Sequence, residues 1–200
     1  MRAAKLEQLE LLNRLAESFP TFANTANVAL AEARFGKQCL TSGHFDLAKQ
    51  ELITATEAFE RLLKERPGHG LIQWNAATAY YNLGVTRKRL HLDDVNPLFE
   101  RAIELEELLL KKSRSLEYEG HQLFCFARAG LTEKALEIAE RFAAKEDSAL
   151  HAAYAGLGYG MLATVDDPES AKNHSENAVK LIRRFIRQGR ITDFKMLRGE

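Results

Sequence analysis

The sequence predicts an all-α protein that is built as a short solenoid of stacked helix pairs. Apolar residues recur at spacings of three and four along most of the chain, and no window sustains the period of two that a half-buried strand requires. A small residue heads the second helix of each predicted pair, at spacings of 47, 40 and 43: Ala48, Val95, Ala135 and Ala178. This period is typical of helix pairs that bury their apolar faces against neighbouring pairs.

The predicted elements are separated by the four prolines and by turn glycines. The apolar pattern predicts helices at residues 2–19, 22–42, 45–66, 71–90, 96–110, 115–129, 132–145, 148–163 and 168–188, with a helical turn at 192–197. Grouped into pairs, they form one domain over residues 1–200, with an N-terminal helix at 1–20, repeat 1 at 22–67, repeat 2 at 70–113, repeat 3 at 115–146, and repeat 4 with a C-terminal cap at 148–197.

The first segment is an amphipathic helix that stands outside the four pairs. Its apolar stripe consists of Leu6, Leu9, Leu12 and Leu15. We expect it to act as a cap or half-repeat on repeat 1, whose two helices meet at a turn that contains Gly43.

The second helix of repeat 2 begins at an Asn-Pro pair. Asn96 predicts an N-cap and Pro97 fits the first helical turn, because proline lacks the N–H that this turn leaves unpaired. The long second helices of repeats 1 and 2 also match one another. Four residues recur 47 positions later, Ala55, Leu62, Leu63 and Lys64 as Ala102, Leu109, Leu110 and Lys111. We interpret this match as an internal repeat.

Repeats 3 and 4 are marked by glycines. Gly130 predicts the turn of repeat 3, and Thr132 predicts the N-cap of the helix that follows. Repeat 4 contains Gly156, Gly158 and Gly160 within an alanine-rich helical stretch. No strand precedes these glycines and no Lys-Ser or Lys-Thr pair follows them, so close helix packing is favoured over a phosphate-binding loop.

Composition excludes several classes of protein. Lys plus Arg and Asp plus Glu total 28 each, so no net charge draws the chain to nucleic acid or to an anionic membrane. The longest apolar runs are shorter than the roughly 20 residues of a membrane span, and the charged N-terminus predicts no signal peptide. Cys39 and Cys125 are isolated, which favours neither a disulfide nor a zinc site and suits a reducing, cytoplasmic setting.

The chain resembles tetratricopeptide repeat proteins at the small and aromatic positions of its helix pairs. The matching residues are Phe35, Gly36, Gly43, Phe45, Ala48 and Ala55 in repeat 1, Leu83, Gly84, Phe99 and Ala102 in repeat 2, Gly130 and Ala135 in repeat 3, and Ala178, Ile182 and Phe185 in repeat 4. The resemblance implies a right-handed superhelix of about four antiparallel pairs. It also implies a non-catalytic protein that binds other proteins or peptides.

The long second helices and the C-terminal tail look like the repeats appended to bacterial eukaryote-like serine/threonine kinases. The segment from Ala178 to Gly189, followed by Asp193-Phe194 and Leu197, is similar to the closing part of such repeat regions. More sequence usually follows in that family, so the resemblance implies that the chain is a piece of a longer protein. It also implies an alternative function, as a regulatory or scaffolding segment of a kinase.

No pattern predicts catalysis or a cofactor. The chain has no glycine-rich loop after a strand, no His-Arg-Asp and no Asp-Phe-Gly, so it is not itself a kinase domain. Its six histidines are not spaced as metal ligands on one helix face. His91 with Asp93 and Asp94 is interpreted as a turn in which the aspartates cap the next helix, and Cys125 as a core residue. We therefore expect no enzyme active site, metal or cofactor.

The candidate binding site lies on the first helices of the pairs, because these helices line the concave surface of a helical-repeat solenoid. The candidates are Arg34, Lys37, Tyr81, Asn82, Lys88, Arg89, His121, Phe124 and Arg128. Such a basic and aromatic set suits an acidic peptide, gripped by arginine forks and bonded along its backbone by Asn82. Only Lys37 and Asn82 match the clamp by which some tetratricopeptide modules hold a C-terminal carboxylate.

Three interpretations of function remain open. The basic residues bind a peptide or partner protein, or the array serves a kinase, or the chain forms a homodimer through its N-terminal leucine stripe or an uncapped C-terminal face. A simpler alternative to peptide binding is that the basic residues only solvate a surface, while Tyr81 and Phe124 pack between helices.

Overall fold

A computed structural model describes residues 2–165 and 167–188, with side chains from residue 7 onward. The described residues are all-α and contain no strand. The helices are α1 (Arg2–Ser18), α2 (Phe22–Thr41), α3 (Phe45–Glu65), α4 (Gly70–Arg89), α5 (Asn96–Leu110), α6 (Leu116–Ala129), α7 (Thr132–Ala143), α8 (Ala149–Leu162) and α9 (Pro168–Gln188). Each corresponds to a helix predicted from the apolar pattern, whereas the predicted turn at 192–197 lies outside the described residues.

The predicted turns at Gly43 and Gly130 are correct, but two predicted caps are wrong by one residue. Gly43 and Gly130 have φ of 78° and 76°, which is a conformation that glycine adopts without strain. Asn96 and Thr132 are the first residues of α5 and α7, so the residue before each occupies the cap position, without a capping side chain. The side chain of an N-cap residue accepts a hydrogen bond from a backbone N–H of the first turn, and the N-cap residue needs an extended backbone to do so. A residue inside the helix has helical backbone angles, so its side chain cannot accept that bond. Pro97 fills the first turn of α5 as predicted.

The segment between α4 and α5 is a tight turn without an aspartate cap. His91 and Asp94 both adopt a left-handed backbone, with φ of 54° and 60°. Arg87 donates to the carbonyl oxygen of Asp93 at 3.3 Å. The prediction that Asp93 or Asp94 caps α5 is therefore wrong, since no side chain caps this helix.

The described residues form two compact units, which divide between Lys112 and Ser113. Unit 1 contains α1 to α5, and unit 2 contains α6 to α9. The boundary falls between predicted repeats 2 and 3. Each unit has its own buried apolar residues, with the rings of Phe59 and Phe99 at the centre of unit 1 and those of Phe142 and Phe185 at the centre of unit 2.

In unit 1, a glycine on each first helix lets the second helix approach closely. A Cβ on Gly36 of α2 would lie 2.7 Å from Leu52 Cγ and 3.3 Å from the Leu52 backbone nitrogen on α3. A Cβ on Gly84 of α4 would lie 2.8 Å from two ring carbons of Phe99 on α5. Real Cβ atoms essentially never come this close, so a side chain at either position would push the helices apart or displace the ring.

In unit 2, glycines likewise let three helices, α6, α8 and α9, approach closely. A Cβ on Gly156 of α8 would lie 2.9 Å from Ile182 Cδ1 and 3.3 Å from the Ile182 backbone nitrogen on α9. Helices α6 and α8 meet through Gly158, which packs against Leu123, and through Gly120, which packs against a tyrosine of α8. Gly156 and Gly158 thus confirm the predicted close packing, whereas nothing lies within 4 Å of a Cβ on Gly160.

A polar cluster joins three helices of unit 1. The guanidinium of Arg101 on α5 donates to both carboxylate oxygens of Glu60 on α3, at 2.9 and 3.1 Å, and to Glu104 at 2.8 Å. The hydroxyl of Tyr80 on α4 donates to the same Glu60 carboxylate at 3.1 Å. Burial and the nearby Glu60 carboxylate raise the pKa of Tyr80 to about 12, so this hydroxyl stays a donor at neutral pH.

In unit 2, α9 satisfies carbonyl groups at the end of α7. Arg184 donates to the carbonyl oxygens of Ala143 and Lys145, at 2.9 and 3.4 Å. Gln188 donates to the carbonyl oxygen of Glu146 at 2.7 Å. The last carbonyls of a helix have no partner within the helix, so these bonds hold the α7 end against α9.

The two glycines one turn apart on α8 predict opposite effects of the same substitution. We expect Gly156→Ala to lower the free energy of unfolding by about 1 to 3 kcal/mol, because the new Cβ collides with Ile182. Gly160→Ala should raise it by about 0.5 to 1 kcal/mol, because the Cβ enters open space and alanine favours the helix. Urea denaturation of both variants measures the difference, and equal effects would contradict the described packing of α8 on α9.

Candidate functional site

Six of the nine predicted site residues lie in unit 1, on α2 and α4, which pack against each other. Four of them form what we call the basic set: Arg34, Lys37, Lys88 and Arg89. The side chains of Arg34, Lys88 and Arg89 are exposed, and that of Lys37 is half-buried. No side-chain hydrogen bond or ion pair joins the basic set to any other residue in the described part of the chain.

The two helices that carry the basic set are almost without acidic residues. Helix α4 has no Asp or Glu, and the one acidic residue of α2 is Glu32. The second helix of the first pair, α3, differs, because it carries Asp46 and four glutamates beside its basic residues. Basic residues thus outnumber acidic ones on α2 and α4, whereas acidic residues outnumber basic ones on α3.

Two other cations of unit 1 have partners within the fold. Arg101 pairs with Glu60, and the ammonium group of Lys112 donates to the carbonyl oxygen of Gly68 at 3.0 Å and to Oε1 of Gln73 at 2.9 Å. These bonds fix the positions of the two cations within the fold. The side chains of the basic set have no such bonds, so a negatively charged ligand can replace the water around them.

Asn82 does not present its amide in the way the sequence analysis expects. Only 7% of its surface is exposed, and the hydroxyl of Thr86 donates to its backbone carbonyl oxygen at 2.7 Å. The physical reason is its register on α4, where it lies directly before the buried Leu83 and Gly84. The burial of Asn82 therefore does not support the prediction that its amide bonds the backbone of a bound peptide.

The two aromatic candidates pack between helices, as the simpler alternative predicts. The ring of Tyr81 on α4 meets that of Phe99 on α5 edge to face, with centroids 5.9 Å apart. The ring of Phe124 on α6 lies 5.8 Å from that of Tyr154 on α8. Both residues are half-buried, so part of each ring remains accessible while the rest stabilises its unit.

The remaining two candidates, His121 and Arg128, are half-buried on α6 in unit 2. Nδ1 of His121 lies 3.7 Å from the sulfur of the buried Cys125, one helical turn away. The sequence analysis interprets Cys125 only as a core residue, although its spacing of four residues from His121 on a helix was a signal for this contact. Nε of Arg128 is buried without a hydrogen-bond partner among the described residues.

Glu32 is a buried carboxyl group that the sequence analysis did not single out. Only 6% of its surface is exposed, and its Oε2 has no hydrogen-bond partner among the described residues. Burial, and then the negative charge of Glu51, raise the pKa of Glu32 to about 7, while Arg61 acts in the opposite direction. The sequence signal for the burial of Glu32 was its position in the apolar stripe of α2, four residues before Gly36.

No protein-family model matches the chain, and no curated protein matches it significantly. Within the described ranges, no helix has the length and apolar character that crossing a bilayer requires. The functional interpretation therefore depends on the residues of the chain itself.

The raised pKa of Glu32 predicts that its effect on stability depends on pH. Because the folded pKa of about 7 exceeds the ordinary value of 4.5, the carboxyl group favours folding below pH 4.5, and this contribution is lost as pH rises through 7. Glu32→Gln should therefore match the unsubstituted chain near pH 4.5 and exceed its free energy of unfolding at pH 8 by up to about 3 kcal/mol.

Urea denaturation at the two pH values measures this difference. The matched control is Glu57→Gln, which removes an exposed carboxylate from α3 and should show no comparable pH dependence. A Glu32→Gln variant that is equally destabilised at both pH values would mean that Glu32 is ionised and paired in solution.

Proposed function

We propose that the chain is a non-catalytic protein-interaction module that binds an acidic peptide through the first helices of unit 1. The observation that carries this proposal is the basic set, Arg34, Lys37, Lys88 and Arg89, on two neighbouring helices whose one acidic residue is buried. Unpaired cations on packed helices attract carboxylates, and arginine forks add geometric selectivity.

A tetratricopeptide-like solenoid is the architecture that we propose for this module. The glycine contacts support it, since Gly36, Gly84 and Gly156 each lie on the first helix of a predicted pair and each pack against the second helix. The first two of these glycines are 48 residues apart, which fits the period of the predicted repeat. In such an array, the first helices line the surface that is open to a ligand.

The expected affinity is modest and depends on salt. Exposed ion pairs contribute between about 0 and 1 kcal/mol each, so four of them give weak binding unless the peptide makes several contacts at once. Screening at physiological ionic strength acts over roughly 8 Å, which weakens these pairs further. Binding that falls as salt is added is therefore part of the proposal.

The proposal predicts that charge reversal on the first helices removes binding of an acidic peptide. A fluorescein-labelled peptide of alternating Glu and Ser serves as the probe in fluorescence anisotropy. We expect Arg34→Glu with Lys88→Glu to weaken its binding by about tenfold or more. The matched peptide of alternating Lys and Ser should bind the unsubstituted chain less tightly than the acidic probe.

The control is an equal charge reversal at the ends of the second helices, Lys64→Glu within α3 and Lys111→Glu directly after α5. Both lysines are exposed, and they occupy equivalent positions in the internal repeat. This variant should keep most of the affinity for the acidic peptide, with an unchanged helical circular dichroism spectrum. An equal loss in both variants would show that overall charge, and not a site on α2 and α4, determines binding.

Self-association is a second candidate, and the surface of α1 favours it. Leu9 is buried, whereas Leu11, Leu15 and Phe19 are exposed at spacings of four along one side of the segment. The exposed stripe therefore differs from the predicted one, and the side chain of Leu6 lies outside the described residues. Sedimentation at two protein concentrations distinguishes a dimer from a monomer that binds a peptide. A role as the regulatory segment of a kinase rests on the sequence resemblance alone.

A further inference from the structure

An apolar groove of about 460 Å³ runs between α8 and α9 in unit 2. Two glycines one helical turn apart, Gly156 and Gly160, form its floor. Its walls are aliphatic side chains from both helices, Leu157, Met161, Val179 and Ile182. Val179 is 50% exposed although it is fully apolar, so the groove presents to solvent the kind of surface that usually packs against another element.

The glycines explain why the groove stays open. Gly156 lets α9 approach so closely that a Cβ on this residue would lie 2.9 Å from Ile182 Cδ1. One turn further on, a Cβ on Gly160 would have nothing within 4 Å, so this position leaves empty space. The wider end of the groove is therefore at Gly160. Glycine in a helix interior costs roughly 0.5 to 1 kcal/mol relative to alanine, and packing within the described structure gives no compensation for that cost at this position.

A basic ridge borders the groove on α9. Lys180, Arg183 and Arg187 are exposed, and together with Val179 they also line an adjoining depression. None of the three forms an ion pair with another residue in the described ranges, and Arg187 donates to the backbone carbonyl oxygen of Arg183. Glu176 is the one acidic residue in the lining of the depression. The apolar groove is thus flanked on one side by unpaired positive charge.

We propose that this groove binds an amphipathic helix of a partner protein, whose apolar stripe is flanked on one edge by acidic side chains. A helix fits because the groove offers aliphatic side chains from two packed helices, which match anchors at spacings of three and four. An extended strand does not fit, because it needs free backbone donors and acceptors at the docking surface, and those of α8 and α9 are used within the helices.

Charge complementarity favours a partner protein over a second copy of this chain. Among the described residues, α1 presents an exposed apolar stripe, and this helix carries equal numbers of basic and acidic residues: Arg2, Lys5 and Arg14 against Glu7, Glu10 and Glu17. A neutral helix gains little from the ridge of Lys180, Arg183 and Arg187. An acidic edge would give each of these cations a partner when the groove is filled.

The test uses a designed helical peptide as the probe, with leucines at helical spacing and glutamates along one edge. We expect it to bind the full chain at least about tenfold more tightly than the same peptide with lysines in place of the glutamates. The variant Lys180→Glu with Arg183→Glu should reverse this preference. Reversal is a result that loss of folding could not produce.

Substitutions at Gly160 test the groove itself. Gly160→Gln places a polar side chain on the floor, on a Cβ that has nothing within 4 Å, and should weaken binding by about tenfold or more, whereas Gly160→Ala should keep most of it. Arg34→Glu with Lys88→Glu should leave binding of the helical peptide unchanged. This last variant separates the groove from the peptide site proposed on α2 and α4, so either proposal can fail alone.

Three results would overturn the proposal. Equal binding of the acidic and basic peptides would mean that no charged edge is recognised. Concentration-dependent self-association that Gly160→Gln abolishes would make a second copy the occupant. A gain in peptide affinity of about tenfold in a Phe194→Glu variant would make the C-terminal residues of this chain the occupant.

Discussion

Helices in this protein approach one another at points where a glycine removes the side chain that would hold them apart. Gly36 and Gly156 bring a partner helix so close that a Cβ would lie 3.3 Å from a backbone nitrogen, and Gly84 accommodates a phenylalanine ring. These contacts fix which face of each first helix is buried. The open groove between α8 and α9 lies beside the close contact at Gly156, on the same pair of helices.

The charges of the first pair are divided between its two helices. Helix α3 carries most of the acidic residues, and one of them, Glu60, accepts hydrogen bonds from α4 and α5. Helix α2 has a single carboxyl group, that of Glu32, which is buried. With that group buried and its pKa raised to about 7, α2 loses its negative charge over part of the physiological range. The exposed charge of the two first helices is then entirely positive.

The helices and turns could be predicted from the sequence, because periodicity and turn glycines are local signals. The caps at Asn96 and Thr132 were misplaced because a cap depends on the backbone angles of one residue. The burial of Asn82 depends on the rotation of α4 against its neighbours, which the pattern fixes only to within a residue. Gly156 and Gly160 look alike in sequence, although one packs tightly and the other faces open space.

The central claim is tested most directly by nuclear Overhauser effects from the glycine α-protons in the folded protein. The account predicts cross-peaks from Gly36 to the methyl groups of Leu52, from Gly84 to the ring protons of Phe99, and from Gly156 to the δ-methyl of Ile182. Their absence in a protein whose helices are formed would contradict it, because the helix pairs would then be packed through other faces.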